Sequence, residues 1–362
     1  MKILHVVRHL HKLSGVSVYC SELCEVLKQQ GQCVDVAVDD LSDTNQILSL
    51  KGVARLALKD VMSKTLRYDI VHIHNLWTGG LHRAARWARL QNIPIVWSLH
   101  GTLSPWAFKY KRWKKILPWH LYQKRDLLNA AILHVTSDEE RKWVQNSGFG
   151  NRRIVAIPMG TTVRPEVCRA HAIHRLLFVG RIAPVKSLEK LITAWASTGP
   201  GCWRLRVVGV EDFPGYTNSL KALCVKLGAS QSVDFVGPKF GVDLEKEYED
   251  ADALALVSET ENFGAVVADA LAWGIPVITS KGTPWSCVQS NNPISQQSKK
   301  SCGWWVANDP DSLANVLKEL VSLTEVERQA MGSRGRALVR AKFSWSAVAH
   351  QMKEVYESVI RR

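Results

Sequence analysis

The stretch "RLLFVGRIAPVKSLEKLITAW" runs from Arg175 to Trp195. Its first part is a short, continuous apolar run of the kind a strand buried on both faces carries. Its last part spaces apolar residues three and four apart, the period of a helix with one buried side. The next run, "WRLRVVG" at Trp203–Gly209, completes a strand–helix–strand unit. Working outward, "VDFVG", "ADALALV" and "IPVITS" continue the same rhythm towards the C-terminus. On the N-terminal side "KILHVV", "QCVDVAV", "DIVHIHN", "PIVWSLH" and "AILHVT" form an earlier series, each followed by a helix-like segment. The two series part at "IPMGTTVRPEVCRAHAIH", which sets a linker near residues 162–174. The fold class is therefore α/β, with two parallel-sheet, Rossmann-like domains in series. A length of 362 residues agrees, since it exceeds what one hydrophobic core usually organises.

Composition narrows the function. There is no run of 18 or more apolar residues, and the start "MKILHVVRHLHKLSG" carries a strand-length apolar run in place of a signal peptide's longer one. A cytoplasmic chain with no membrane span is expected. The eight cysteines form no C-x-x-C pair and no His/Cys grouping at zinc spacing, so reduced, individually packed thiols and no structural metal are expected. The net charge of +14 is lopsided: Met1–Ala170 hold 25 Lys and Arg against 13 Asp and Glu, the remainder 22 against 20. An anionic partner of the first half follows, whether nucleic acid, acidic membrane or phosphorylated substrate. The polar stretch Cys287–Gly303 reads as a mobile surface loop.

In tandem parallel-sheet domains the carboxyl ends of the strands carry the chemistry, here facing each other across a cleft. Arg181 follows a strand and Lys186 opens a helix, so two cations join that helix's unpaired N–H groups in an anion pocket suited to a diphosphate. A solvated basic loop is the plainer alternative. Gly15 occupies a strand-to-helix turn where backbone can approach a phosphate, but the three-glycine dinucleotide fingerprint is absent, which argues against a nicotinamide enzyme. His100, followed by Gly101, ends the fourth strand. In "SETENFGAVVADALAWGIPV", Ser258–Val277, Glu261 stands just outside a helix beginning near Phe263 and Gly264, and Asp269 is alone among apolar residues. Carboxylates only accept hydrogen bonds, so both suit sugar or ribose hydroxyls. An ordinary helix-start acid and a solvent-facing aspartate are the alternatives. "FKYKRWKKILPWHLYQKR" interleaves Lys109, Lys111, Arg112, Lys114 and Lys115 with Tyr110 and Trp113, then Trp119 and Tyr122. That mixture fits an anionic leaflet or a phosphorylated lipid-linked glycan as well as a solvated basic helix.

Together these motifs resemble the retaining GT-B glycosyltransferases of the group 1, or family 4, type, including bacterial polysaccharide and lipopolysaccharide enzymes. The likeness spans nearly the whole chain. It rests on "FVGRIAPVKSLEKLITAW", "ETENFGAVVADALAWGIPVITSKGTPW" with its acid–seven residues–acid spacing, "DIVHIHNLW", "WSLHGTLSPWAFKYKRWKK" and the terminal "FSWSAVAHQMKEVYESV". The resemblance implies an acceptor-binding domain at residues 1–165, a nucleotide-sugar-binding domain at 166–344 and a last helix at 345–362 crossing back onto the first. It implies Arg181 and Lys186 on the donor diphosphate, Glu261 on the transferred sugar, and the Phe263 and Gly264 amides on sugar or phosphate. Asp269 stands for the acid on the ribose, Gly15 lies beside the diphosphate and His100 touches the donor sugar. Asn75, in "DIVHIHNLW", joins the acceptor side.

Three positions depart from the pattern: Asp269 replaces Glu, Ser14-Gly15 replaces a glycine pair, and "IPMG" replaces "IPNG". The shorter acid loses about 1.5 Å of reach, leaving direct contact or a bridging water to hold the ribose. The implied reaction moves a hexose from a UDP- or GDP-sugar with retention. The leaving phosphate takes the acceptor proton, and neither cofactor nor metal takes part. The expected partners are a nucleotide-sugar donor, a lipid-linked or phosphorylated glycan acceptor and the anionic inner face of the plasma membrane, with attachment peripheral and no nucleic acid. A basic nucleic-acid-binding protein, or an epimerase or phosphorylase of the same fold, is the competing reading.

Overall fold

The computed structural model describes residues 1–11, 14–41, 48, 50–63, 66–109, 112–167, 172–289 and 301–361. They divide into two compact units, Met1–Gly160 with Trp345–Arg362, and Thr161–Ser344. The acceptor candidates Tyr110 and Lys111, and most of the polar stretch 287–303, lie outside the described residues.

The first unit is built on seven parallel strands: β1 (Lys2–Val7), β2 (Cys33–Val38), β3 (Ala54–Ala57), β4 (Ile70–His74), β5 (Ile95–Ser98), β6 (Ile132–Val135) and β7 (Ile154–Ala156). Their spatial order is β3-β2-β1-β4-β5-β6-β7, so the order reverses between β1 and β4. Helices cover both faces, which is why β1 and β4 are buried almost throughout. One face packs Leu4, Val71, Trp97 and Leu133 against the helix Gly79–Leu90 and its neighbours. The other packs Ile3, Ile70 and Ile132 against the helices Gly15–Gln29 and Trp345–Ile360. The terminal helix thus belongs to the first unit, fixed by Tyr356, whose hydroxyl is 2.6 Å from His72 Nδ1.

Histidines interrupt this second face. His5 on β1 pairs in register with His72 on β4, and His134 on β6 with Ser98 on β5. Ser98 Oγ lies 2.6 Å from His72 Nε2 and 2.5 Å from His134 Nδ1. Burial pushes the imidazoles of His5 and His72 down and that of His134 to about 4, so at neutral pH this layer is an uncharged hydrogen-bonded network.

The second unit has six parallel strands: β8 (His174–Val179), β9 (Trp203–Val208), β10 (Val233–Gly237), β11 (Ala253–Leu256), β12 (Val277–Ser280) and β13 (Gly303–Val306). They are ordered β10-β9-β8-β11-β12-β13, with the reversal between β8 and β11. Leu188, Leu191, Ile192 and Trp195 of the helix Leu188–Thr198 fill one core layer, confirming the period read in the opening stretch. No helix among the described residues is long and apolar enough to cross a membrane.

Candidate active site

In an open parallel sheet a ligand crevice forms beyond the carboxyl ends of the strands where their order reverses. In the second unit that place lies past β8 and β11. Beyond β8 the chain turns through Pro184–Lys186 into the helix Leu188–Thr198, with Ser187 held left-handed at φ 51°. Beyond β11 it runs through Ser258–Glu261 to the helix Ala265–Ala272. The two turns are tied by backbone, Glu259 N donating to Val185 O at 2.8 Å, and Glu261 N donates to Gly282 O at 2.9 Å.

This frame brings Lys186 and Glu261 into a direct ion pair, with side chains 13% and 19% exposed. Ser258 Oγ donates to the same Glu261 oxygen at 3.2 Å. Glu259, next to it, accepts from Lys190 and from Ser187 Oγ at 2.9 Å. The lysine contact, first among the causes, holds the Glu259 carboxyl below the usual range. Arg181 is exposed and pairs with Asp212, so both expected phosphate cations already face carboxylates.

Phe263 turns its ring inward, 5.2 Å from Trp285 and 5.9 Å from Phe343 between centroids, and Trp285 Nε1 donates to its carbonyl at 2.5 Å. Gly264 precedes the helix at φ 78°, with no side chain capping the first turn. A Cβ there would meet Leu256 Cδ2 at 2.9 Å, and the left-handed backbone disfavours it further, so the position demands glycine. Asp269 does not point at this pair through any hydrogen bond described; its carboxylate accepts from Thr161 Oγ1 at 2.6 Å. Part of its surface remains accessible, yet enclosure by protein outweighs Thr161 and the nearby Arg164 and pushes the carboxyl up to about 6.

In the first unit Gly15 opens the helix Gly15–Gln29 behind Ser14, whose side chain accepts from Ser17 N, and space is open where a Cβ would stand. The turns beyond β4 and β5 hold three non-glycine residues left-handed: Asn75 at φ 74°, Trp77 at 75° and His100 at 52°. Such strain concentrates at functional sites. His100 Nε2 lies 3.1 Å from His74 Nδ1, and burial pushes its imidazole down. Trp77 is the residue that sequence reasoning passed over; nothing in "HNLW" announces a left-handed tryptophan.

The basic–aromatic segment divides. Residues 113–128 run as one helical stretch, loosened to a wider turn at Trp119–Gln123 just after Pro118. Asp126 anchors it, accepting from Arg89 at 2.8 Å and lying 2.7 Å from His82 Nδ1. Lys109, Arg112 and Lys114 are exposed. So are Trp113 at 74%, Leu117 at 65% and Leu121 at 68%. Two members face inward instead: Lys115 donates to Ala107 O and lies over the Trp77 ring, and Trp119 packs on Trp77, Phe108 and Phe149. Helical period explains the split, since these two share the stripe that meets the core.

The description "Glycosyl transferases group 1" matches residues 172–338, and "Glycosyl transferase 4-like domain" matches residues 41–160. The chain belongs to the group 1 glycosyltransferases. It is an enzyme of that class. The D-inositol 3-phosphate glycosyltransferase of Kineococcus radiotolerans is 28% identical over 320 residues, 81% of this chain and 72% of that protein. Sucrose-phosphate synthase from Thermosynechococcus elongatus superposes with a TM-score of 0.75 at 20% identity, covering 100% of this glycosyltransferase and 99% of that chain. Anabaena HepE, solved with UDP and glucose, gives 0.75 at 18% identity over 99% and 100%. These two share its GT-B fold.

The raised Asp269 carboxyl has a pH signature. The native state keeps the proton that the unfolded chain releases near the ordinary value of 3.8, so stability is lost as pH rises from there to about 6. Asp269→Asn removes that loss. Its urea unfolding free energy, relative to the parent, is expected to rise between about pH 4 and pH 6 and to level above. A pH-independent difference contradicts the enclosure described.

Proposed function

We propose that this glycosyltransferase moves a hexose, with retention, from a UDP- or GDP-sugar to a phosphorylated or lipid-linked glycan acceptor in cell-surface polysaccharide or lipopolysaccharide synthesis. The observation that carries the donor half is the Lys186–Glu261 pair at the strand-order reversal, beside the uncapped first turn of the helix Ala265–Ala272. A diphosphate takes Lys186 from Glu261, with Arg181 adding a second cation. The released Glu261 carboxylate accepts from hydroxyls of the transferred sugar. The Phe263 and Gly264 amides face phosphate or sugar. Asp269 and Thr161 take the ribose. Gly15 lies by the diphosphate and His100 by the donor sugar at the strand ends of the first unit.

Charge accumulates on the leaving phosphate as the sugar–oxygen bond breaks. Lys186, Arg181 and helix N–H groups stabilise that charge, and the same phosphate oxygen accepts the acceptor's hydroxyl proton as the new bond forms on the same face. The reading assigns no step to a metal or cofactor. Asn75 belongs to the acceptor side.

For the acceptor, the relative named for an inositol 3-phosphate reaction supports a phosphorylated compound. The exposed Trp113, Leu117 and Leu121 beside Lys109, Arg112 and Lys114 support a reversible, peripheral hold on the anionic inner face of the plasma membrane, where a lipid-linked acceptor resides. Lys115, bound to Ala107 O, serves the segment's own packing.

A thermal-shift panel of UDP, GDP, ADP and duplex DNA tests the donor reading: one uridine or guanosine diphosphate stabilises the protein and DNA does not. Lys186→Ala and Arg181→Ala each lower kcat by about tenfold or more, because charge develops at the leaving phosphate. Parental turnover in both variants removes the assignment.

The membrane half is tested separately by sedimentation with vesicles. Anionic vesicles are expected to retain the protein at low salt and release it at high salt, and Trp113→Ser with Lys114→Ser to weaken retention. Equal sedimentation with neutral and anionic vesicles leaves a soluble phosphorylated acceptor in its place.

A further inference from the structure

Beneath the helix Gly15–Gln29, in the first unit, two cysteines and a histidine converge without any role in the proposed transfer. Cys20 and Cys24 stand one helical turn apart on the buried face, both fully enclosed, with sulfurs 3.9 Å apart. A ring nitrogen of His5, from β1, lies within 4.8 Å of both sulfurs. Its Nδ1 is 2.9 Å from His74 Nε2 and the Cys20 thiol interacts with the ring, while its Nε2 makes no hydrogen bond of normal geometry although the ring is completely buried. A buried polar nitrogen left unpaired in this way calls for an occupant.

A disulfide does not answer it. Residues four apart on a helix hold their Cβ atoms about 5–6 Å apart, whereas a disulfide needs about 3.5–4.5 Å. We propose that His5, Cys20 and Cys24 form a buried site for a soft divalent cation, Zn²⁺ foremost. Two thiolates and a neutral imidazole cancel the dication's charge, so the buried assembly is neutral, the least costly state in a low-dielectric interior. A sulfur–nitrogen set selects Zn²⁺ over Mg²⁺ or Ca²⁺, and three protein ligands with an exogenous fourth is a set that Zn²⁺ adopts.

The surrounding hydrogen bonds suit the same tautomer. With Nε2 on the metal, His5 Nδ1–H donates to His74 Nε2, and His74 Nδ1–H donates in turn to His100 Nε2 at 3.1 Å. Ligating histidines take this kind of outer support. On binding, both thiols become thiolates and release two protons to solvent, with no change of oxidation state. Sequence spacing conceals the group, because one ligand comes from a strand and the cysteines follow helical period instead of a C-x-x-C knuckle.

The test uses the untagged full chain, purified without chelator. Elemental analysis is expected to find about one zinc per chain. Co²⁺ added to chelator-stripped protein is expected to give a thiolate charge-transfer band, which needs no variant to read. Cys20→Ser and Cys24→Ser abolish the band and the zinc, whereas Cys33→Ser and Cys202→Ser, at exposed cysteines, keep both. Chelator lowers the melting temperature of the parent and leaves that of Cys24→Ser unchanged. Absence of both zinc and the cobalt band from the parent protein, or their survival in the Cys20→Ser, Cys24→Ser double variant, overturns the proposal.

Discussion

The ion pair between Lys186 and Glu261 is the contact on which the candidate donor site depends. It joins the turn after β8 to the turn after β11, the two strands at which the order of the second sheet reverses. A lysine and a glutamate this little exposed are less screened by solvent than a surface pair, which contributes only about 0–1 kcal/mol. The pair therefore keeps a cation and a carboxylate in place before any ligand arrives. Glu259, Ser187, Lys190 and Asn308 brace the same two turns from behind. The aromatic trio Phe263, Trp285 and Phe343 holds the start of the next helix. Preorganisation of this sort is what electrostatic stabilisation of a leaving group requires.

The first unit solves a different problem. A parallel sheet covered on both faces has no solvent to satisfy polar side chains, yet its β1, β4 and β6 strands carry His5, His72, His74 and His134 inward. They persist because serine, tyrosine and one another supply their partners, and because burial keeps His5, His72 and His134 neutral. The layer ties the terminal helix to the sheet through Tyr356 and reaches His100 in its left-handed turn. On the outer side, residues 113–128 expose tryptophan and leucine beside lysine and arginine while Asp126 anchors the stretch to the helix Gly79–Leu90.

Most of the fold was legible because buried parallel strands are short apolar runs: "KILHVV", "DIVHIHN" and "ADALALV" mark β1, β4 and β11 closely. The strands not read, β3, β7 and β13, are edge strands of three or four residues, two of them half exposed, so their apolar signal is weak. Spacing placed Lys186 and Glu261 near the right strand ends, but not their contact, because it joins residues 75 positions apart. The partner of Asp269 was hidden likewise: Thr161 lies 108 positions away, just before the stretch read as linker. The basic segment was legible as composition. Which of its members face inward was not, because Trp77 and Phe149, which Lys115 and Trp119 meet, lie far away in the sequence.

If phosphate and Glu261 compete for Lys186, removing the Glu261 charge must move the affinities for phosphate and for sugar in opposite directions. Calorimetric titration of the free nucleoside diphosphate and of the matching nucleotide sugar into the parent protein and Glu261→Gln tests it most directly. Removing the carboxylate's charge frees Lys186, so the variant is expected to bind the free diphosphate at least as tightly as the parent while losing affinity for the nucleotide sugar by about tenfold, the worth of a charged hydrogen bond to a sugar hydroxyl. A variant that binds the free diphosphate more weakly, with the nucleotide sugar unaffected, would contradict it.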